Sequence, residues 1–179
     1  MRSVIVYESM FGNTHLIAQA IANELGPPER VFVVPADEAS PSLLEGVHLL
    51  VVGGPTHAHS MSRASTRQAA IDAARKSHGD LGLDPAAAGL GLRDWLGSLR
   101  EFTGNAAAFD TRVNGLAFFT GHASKAIGRE LVRHGFRLAA PSESFRVDRN
   151  NHLVDGEEER AAAWGRMLLE ATAENGITA

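Results

Sequence analysis

A short stretch near the N-terminus combines the residue types that bind phosphate. Ser9-Met10-Phe11-Gly12-Asn13-Thr14 lies between an apolar run at residues 4–6 and a helical pattern at residues 16–25. A turn of small, hydroxyl and amide residues between a strand and a helix presents unpaired backbone N–H groups at the positive end of the helix dipole. The stretch is predicted to bind an anion, although ordinary helix capping uses the same residue types.

Three histidines follow predicted strands and could exchange protons. His57 and His59 follow the third strand, and His122 follows the fourth. Imidazole titrates near neutral pH, which suits proton transfer, whereas the identity of an exposed loop histidine is often incidental. A His-x-His pair can also ligate metal, but no carboxylate lies nearby in the sequence, so no metal site is predicted.

Composition narrows the class of protein. The 179 residues, 44% of them hydrophobic, suit a single domain covering residues 1–179. With no cysteine, the chain has no disulfide, thiolate zinc site or cysteine nucleophile. A net charge of -4 without a basic stripe argues against nucleic acid. No signal-peptide core is found, and no apolar run approaches the roughly 20 residues of a membrane span, which predicts a cytoplasmic protein without one.

Hydrophobic periodicity predicts alternating strands and helices. The predicted strands are residues 3–7, 31–34, 48–52, 113–119 and 142–147, and Gly53-Gly54-Pro55 is expected to end the third. The predicted helices are residues 14–25, 62–77, 92–99, 124–134 and a last one capped by Asp155, with the stripe Ala161, Trp164, Leu168 and Ala171. Residues 148–159 are interpreted as a polar turn before that helix.

This alternation predicts an α/β fold with a doubly wound, parallel, five-stranded sheet. Ligands bind such sheets at the carboxyl ends of the strands, where the strand order reverses. The loops at residues 9–14, 55–60 and 120–123 are therefore expected to converge. Residues 60–110 are far longer than an ordinary connection and are predicted to be an extended or inserted region.

The three loops resemble those of the flavodoxin-like family. Residues 9–14 match its phosphate-loop pattern [ST]-x-x-G-x-T, with an aromatic residue before Gly12 and Asn13 after it. This variant is similar to the flavodoxin domains of flavodiiron proteins and of flavodoxin-type quinone oxidoreductases. The resemblance extends to Gly53-Gly54-Pro55-Thr56, to Thr120-Gly121-His122 and to the closing helix. It implies the flavodoxin-like strand order 2-1-3-4-5.

The resemblance implies that FMN is the cofactor. It assigns the phosphate to Ser9, Met10, Phe11, Gly12, Asn13 and Thr14, the flavin ring to Pro55, Thr56, His57, Ala58, His59 and Ser60, and the ring's pyrimidine edge and ribityl chain to Thr120, Gly121 and His122. Flavodoxins hold this phosphate largely with N–H groups and hydroxyls, and no lysine or arginine lies in the loop. Gly12 is expected to allow close approach, because a Cβ would push the phosphate oxygens away.

One departure from electron-transfer flavodoxins concerns the redox role. The loops at residues 56–60 and 120–122 contain no Trp, Tyr, Asp or Glu but contain His57, His59 and His122, which are the candidate catalytic residues. Acidic surroundings disfavour an anionic reduced flavin, whereas protonatable imidazoles favour it. We therefore expect a higher-potential, two-electron flavin.

The leading function is an FMN-binding redox protein. It would either pass electrons to a partner protein or act as an oxidoreductase that reduces a quinone-like acceptor with NAD(P)H. The alternative is a flavodoxin-like scaffold without cofactor, acting as a binding or regulatory module. A phosphoacceptor domain would need an acid pair after the first strand, where Glu8 stands alone. By resemblance, residues 60–110 would provide subunit contacts of a homo-oligomer and a wall over the flavin, with Arg63, Arg67 and Trp95 as candidates.

Overall fold

The computed structural model describes residues 1–57, 60–76, 82–115 and 121–176. Strands in these ranges are β1 (Ser3–Tyr7), β2 (Val31–Pro35), β3 (Leu49–His57), β4 (Ser60–Met61), β5 (Gly104–Val113), β6 (Phe136–Leu138) and β7 (Glu143–Val147). The α-helices are α1 (Asn13–Leu25), α2 (Ala64–Lys76), α3 (Leu92–Ser98), α4 (Ala123–Arg133) and α5 (Glu157–Gly176), and Pro41–Leu44 forms a 3₁₀ helix.

The sheet is built around β1, β3 and β5. Its order is β2-β1-β3-β5-β6, and all of these neighbours are parallel. β7 also pairs in parallel with β5, beyond β6, so two short strands share the fifth position. β4 pairs antiparallel with the end of β3. The predicted doubly wound fold and the order of its five positions are confirmed.

The fourth position is occupied by β5, about ten residues before the strand predicted at residues 113–119, of which residues 116–119 lie outside the described ranges. That placement was wrong because β5 contains Ala106, Ala107 and Ala108, which are poor strand formers. All three are fully buried between helices on both faces, where small side chains allow close packing. Burial therefore overrides the intrinsic preference of alanine.

The third strand does not end at Gly53, as the sequence predicted, but continues to His57. A Cβ on Gly53 would lie 2.0 Å from the Phe109 ring, so the glycine makes room for a neighbouring side chain. β1 pairs with β3 only as far as Gly53, whereas β5 pairs with it as far as Pro55. Pro55 is tolerated because β3 has a parallel neighbour on one side only at that point.

Helices cover both faces of the sheet, and successive strand residues alternate between them. One face packs Val4 and Val6 against α3 and α4, and the other packs Ile5 and Tyr7 against α1 and α5. In α5 the predicted stripe is buried at Ala161, Trp164 and Leu168, while Ala171 is half-buried. A Cβ on Gly165 of α5 would lie 2.8 Å from the Ile21 carbonyl oxygen, so α1 and α5 approach closely there.

The five predicted helices are all present, with ends within a few residues of those expected. The predicted cap was wrong at α5, because its first turn starts from the carbonyl of Gly156, which accepts the Arg160 N–H, and not from Asp155. Residues 60–110 contribute β4, α2, α3 and most of β5. Among the described helices, none has the length and apolarity needed to cross a membrane.

Candidate functional site

The phosphate-like loop connects β1 to α1 and exposes backbone donors. Gly12 has a φ of 88°, a left-handed conformation, and its N–H donates to Ser9 Oγ at 3.0 Å. Within the described chain, the N–H groups of Phe11, Asn13 and Thr14 have no acceptor. A Cβ on Gly12 would meet no protein atom within 4 Å, so its backbone conformation, and not crowding by the protein, requires glycine. The loop can donate several hydrogen bonds to an anion.

A cleft of about 190 Å³ joins this loop to the ends of β3 and β5. Eight predicted site residues line it: Ser9, Met10, Phe11, Asn13, Thr14, Pro55, Thr56 and His57. The remaining lining residues are Thr111, Arg112, Val113, Val147 and Asn151. The loops after the first and third strands therefore converge on one cleft.

Other predicted site residues lie elsewhere. Ser60 pairs with His57 in the β3–β4 ladder, and Gly121, with a φ of 72°, precedes α4. His122 lines a neighbouring pocket, where its Nδ1 lies 3.0 Å from Ser144 Oγ. Ala58, His59 and Thr120 fall outside the described residues. The fourth sheet position contributes to the cleft through the end of β5.

The end of β5, Asp110-Thr111-Arg112, was missed by the sequence reasoning because the strand was misplaced. Thr111 Oγ1 lies 2.8 Å from Thr14 Oγ1, and Ser124 N donates to Asp110 Oδ2 at 2.7 Å. Arg112 exposes only 7% of its surface and donates to the Gly115 carbonyl at 3.2 Å. A polar triplet directly after the apolar run at residues 106–109 was the signal that could have identified it.

The turn before α5 also reaches the cleft. Asn13 Nδ2 donates to the Asn151 carbonyl at 2.8 Å, and Asn151 has a φ of 64°. Asparagine tolerates this left-handed conformation better than most residues. The polar turn predicted at residues 148–159 is therefore also part of the site's wall, and Asn150-Asn151 was the available signal.

The long connection between β3 and β5 packs against the outside of the loop. Asp84 N donates to the Met10 carbonyl at 2.9 Å, and Leu92 N donates to Glu8 Oε2 at 2.7 Å. Trp95 is 3% exposed and donates to the Ala39 carbonyl, so it is a packing residue. Neither it nor the candidate arginines of this region line the cleft.

Comparison with solved structures shows which known proteins have a similar fold. The chain superimposes on flavodoxin 2 from Bacillus cereus with a TM-score of 0.64 and 18% identity, covering 98% of this chain and 99% of that one. It has a flavodoxin-like fold. A WrbA-like flavodoxin from Agrobacterium tumefaciens gives a TM-score of 0.58 at 16% identity, covering 97% and 98% of the two chains. No family model matches the sequence, and neither does a curated protein.

The flavodoxin-like fold is also similar to part of a larger enzyme. Rubredoxin oxygen:oxidoreductase from Desulfovibrio gigas gives a TM-score of 0.62 at 16% identity, and the match covers 99% of this chain but 37% of that one. Likeness at this level of identity establishes the fold of the chain. Its cofactor and activity have to be argued from its own residues.

Buried carboxylates lie behind the cleft of this flavodoxin-like fold. Glu8 directly follows β1, Asp110 lies within β5, and they are 6% and 0% exposed. Glu8 Oε1 and Asp110 Oδ1 have no hydrogen-bond partner among the described residues. The loops at residues 56–60 and 120–122 contain no Asp or Glu. Glu8 and Asp110 supply carboxylates from the position after β1 and from β5. Among the residues that the structure covers, no three His, Asp or Glu side chains gather as metal ligands.

His57 is held in its neutral form. Burial lowers the pKa of its imidazole from the usual 6.5; the Glu8 carboxylate opposes this shift, and Arg67 adds to it. At pH 7 the side chain is therefore a neutral donor and acceptor beside the cleft. A negative charge added in the cleft would favour its cationic form.

Proposed function

We propose that the chain binds FMN and acts as a flavodoxin-like redox protein. The observation that carries this proposal is the set of unbonded N–H groups at Phe11, Asn13 and Thr14, in a loop that shares one cleft with Thr56 and His57. An anion binds favourably where backbone donors and the positive end of a helix dipole point at it. Structural similarity to flavodoxins supports a flavin phosphate as that anion.

The residues present fit the FMN phosphate. The three N–H groups, Ser9 Oγ and the Thr14–Thr111 hydroxyl pair would hold it. In that pair one hydroxyl donates to the other, so the second keeps its hydrogen for another acceptor. Arg112 lines the same cleft and adds a cationic side chain that residues 9–14 lack. Bound FMN would supply hydride or electron transfer.

Neutral His57 supports two-electron over one-electron chemistry. Uptake of an electron pair in the cleft adds negative charge, and a neutral imidazole can balance it by accepting a proton at a ring nitrogen. Buried Glu8 favours the protonated imidazole, since an opposite charge nearby stabilises the cationic form. We therefore infer two-electron reduction of a quinone-like or protein acceptor, with NAD(P)H as the donor that the resemblance to flavodoxin-type quinone oxidoreductases implies.

Flavin binding is tested first, with riboflavin as the matched ligand that lacks the phosphate. The purified protein is extracted for flavin and then titrated with FMN and with riboflavin, following quenching of flavin fluorescence. We expect FMN to bind at least about tenfold more tightly, because charge-assisted hydrogen bonds contribute about 1.5–3 kcal/mol each. No binding of either flavin would overturn the proposal and favour a scaffold that acts without cofactor.

The redox role is tested on FMN-loaded protein under anaerobic conditions. We expect NADH or NADPH to bleach the flavin absorbance, and dithionite to reduce it in a single two-electron wave. Two well-separated one-electron waves, with no response to either nucleotide, would instead indicate an electron carrier. FMN binding would stand in that case, and only the two-electron assignment would fail.

A further inference from the structure

Helix α4 carries a row of cations on its outward surface. Its inner side is buried in the core through Ile127 and Leu131, whereas Lys125, Arg129 and Arg133 are exposed. Residues four apart are neighbours on a helix surface, so these three cations, called here the cation stripe, share one face. Residues 121–140 contain four Lys and Arg residues and one acid, a net charge of +3 in a chain whose net charge is -4.

Helix stability does not explain the cation stripe. Like charges four residues apart destabilise a helix. Lys125 lies in the first turn, where the positive end of the helix dipole disfavours a cation, and that turn contains no acid. Arg133 lies in the last turn, which favours a cation, and its Nη1 lies 2.8 Å from Glu130 Oε1. Within the part of the chain that the structure describes, Lys125 and Arg129 form no ion pair with a carboxylate. These two cations can therefore contact another molecule.

The cation stripe begins beside the cleft. Ala123 N, at the start of α4, donates at 2.9 Å to Oγ1 of Thr56, which lines the cleft. Lys125 lines the pocket that adjoins the cleft. On the same outward surface, the apolar side chain of Val132 is 54% exposed. Protein interfaces combine apolar contacts with a polar rim. A protein that covered this surface would lie against the edge of the cleft.

The opposite side of the molecule is acidic. Helix α5 packs on the other face of the sheet from α4, and it contains five glutamates and two arginines, a net charge of -3. This separation of charge steers an acidic protein toward α4 and away from α5. A second copy of the chain is a poor partner, because contacts between α4 of one copy and α5 of the next are head to tail. Such contacts build open chains and not closed oligomers.

We propose that the cation stripe docks an acidic electron-transfer protein and holds the redox group of that protein beside the cleft. The inference rests on the proposed function, because it identifies the class of protein acceptor. Oxidation of one NAD(P)H would supply an electron pair, so two molecules of a one-electron acceptor would be reduced and one proton released to solvent. The cations of α4 orient the acceptor and take no part in the transfer itself.

Titration of the ¹⁵N-labelled, FMN-saturated protein with two electron carriers of opposite charge tests this surface. The probes are a plant-type ferredoxin of strongly negative net charge and the basic protein cytochrome c. We expect ferredoxin to shift the amides of Lys125, Arg129 and Val132 saturably, and a rise from about 50 to about 300 mM salt to weaken binding at least about tenfold. Cytochrome c should leave these amides unchanged. No binding of ferredoxin, or equal shifts with cytochrome c, would overturn the proposal.

Charge-matched variants separate the cation stripe from general attraction. Arg129→Gln should weaken ferredoxin binding about threefold, and its combination with Lys125→Gln about tenfold, since exposed charge contacts are individually weak. Arg30→Gln is the matched control, because it removes an exposed arginine beside the edge strand β2 and should leave ferredoxin affinity unchanged. Equal weakening by Arg129→Gln and Arg30→Gln would contradict a specific surface.

Two further measurements identify the occupant and separate this inference from the proposed function. Sedimentation of the protein alone should be the same for Arg129→Gln and the original chain. Self-association that Arg129→Gln abolishes would assign the cation stripe to a second copy and overturn the assigned partner. If FMN does not bind, the ferredoxin titration without flavin still decides whether α4 docks an acidic protein, so failure of the cofactor and failure of the surface give different results.

Discussion

The side-chain hydroxyls of Thr14 and Thr111 lie 2.8 Å apart, although 97 positions separate them in the chain. Thr14 is in the first turn of α1, and Thr111 is near the end of β5. Both side chains are buried, at 2% and 5% exposure. This hydrogen bond links the start of α1, next to the phosphate-like loop, to β5. It therefore holds these two walls of the cleft at a set distance from each other.

Thr111→Val should weaken FMN binding about three- to tenfold and lower the free energy of unfolding by about 1 kcal/mol, because Thr14 loses its hydroxyl partner. Fluorescence titration and urea unfolding measure the two effects. Thr172→Val is the matched control, since its buried hydroxyl donates to the Leu168 carbonyl far from the cleft. That variant should bind FMN normally. Unchanged FMN affinity in Thr111→Val would contradict a role for the pair.

Gly53→Ala should destabilise the protein by about 1–3 kcal/mol, because its Cβ would overlap the Phe109 ring. Gly97→Ala provides a contrast within a helix, where an added Cβ meets nothing within 4 Å and alanine is the better helix former. It should stabilise the protein by about 0.5–1 kcal/mol. Urea midpoints compare the two, and equal midpoints would refute the packing argument.

Glu8→Ala should lower the free energy of unfolding by about 1–3 kcal/mol, since it leaves the Leu92 N–H without its acceptor at the start of α3. Glu8→Gln retains a side-chain oxygen and should cost less. Hydrogen exchange at the Leu92 amide reports the bond directly. Exchange that is as slow in Glu8→Ala as in the original protein would show that another group satisfies this amide.

His57 should make the protein less stable in mild acid. Burial lowers the pKa of His57 below 6.5 in the folded protein. Well above pH 6.5 the imidazole is neutral in both the folded and the unfolded protein. Below pH 6.5 the unfolded chain binds a proton more readily than the folded protein does. Stability therefore falls as pH decreases through and below 6.5. His57→Gln should show a smaller fall in Tm between pH 7.5 and 5.5, whereas His152→Gln, at a side chain 78% exposed, should follow the original profile. Parallel curves for His57→Gln and the original protein would contradict the shift.

The sequence was sufficient to predict those parts of the fold that depend on local pattern. The apolar run of β1, the helical spacing of α1 and the turn between them are all encoded within residues 3–25, and they form as expected. The fourth strand was predicted too far along the chain because alanine is a poor strand former. The burial of β5 between helices on both faces, which overrides that preference, is visible only in the folded structure. Thr111, Arg112 and Asn151 enter the cleft through pairing with distant segments. The polar triplet at residues 110–112 and Asn150-Asn151 mark these positions as polar, but a linear pattern does not indicate which distant segments they meet.

The position of β5 in the chain has a consequence for biosynthesis. A nascent chain that has emerged only as far as residue 103 carries the complete phosphate-like motif, together with β1 and β3, but none of the cleft wall formed by residues 111–113, Val147 or Asn151. Such an intermediate also leaves one side of β3 without its parallel neighbour. We therefore expect ligand capture to begin only after translation has passed residue 151, where the last segment of the cleft wall lies.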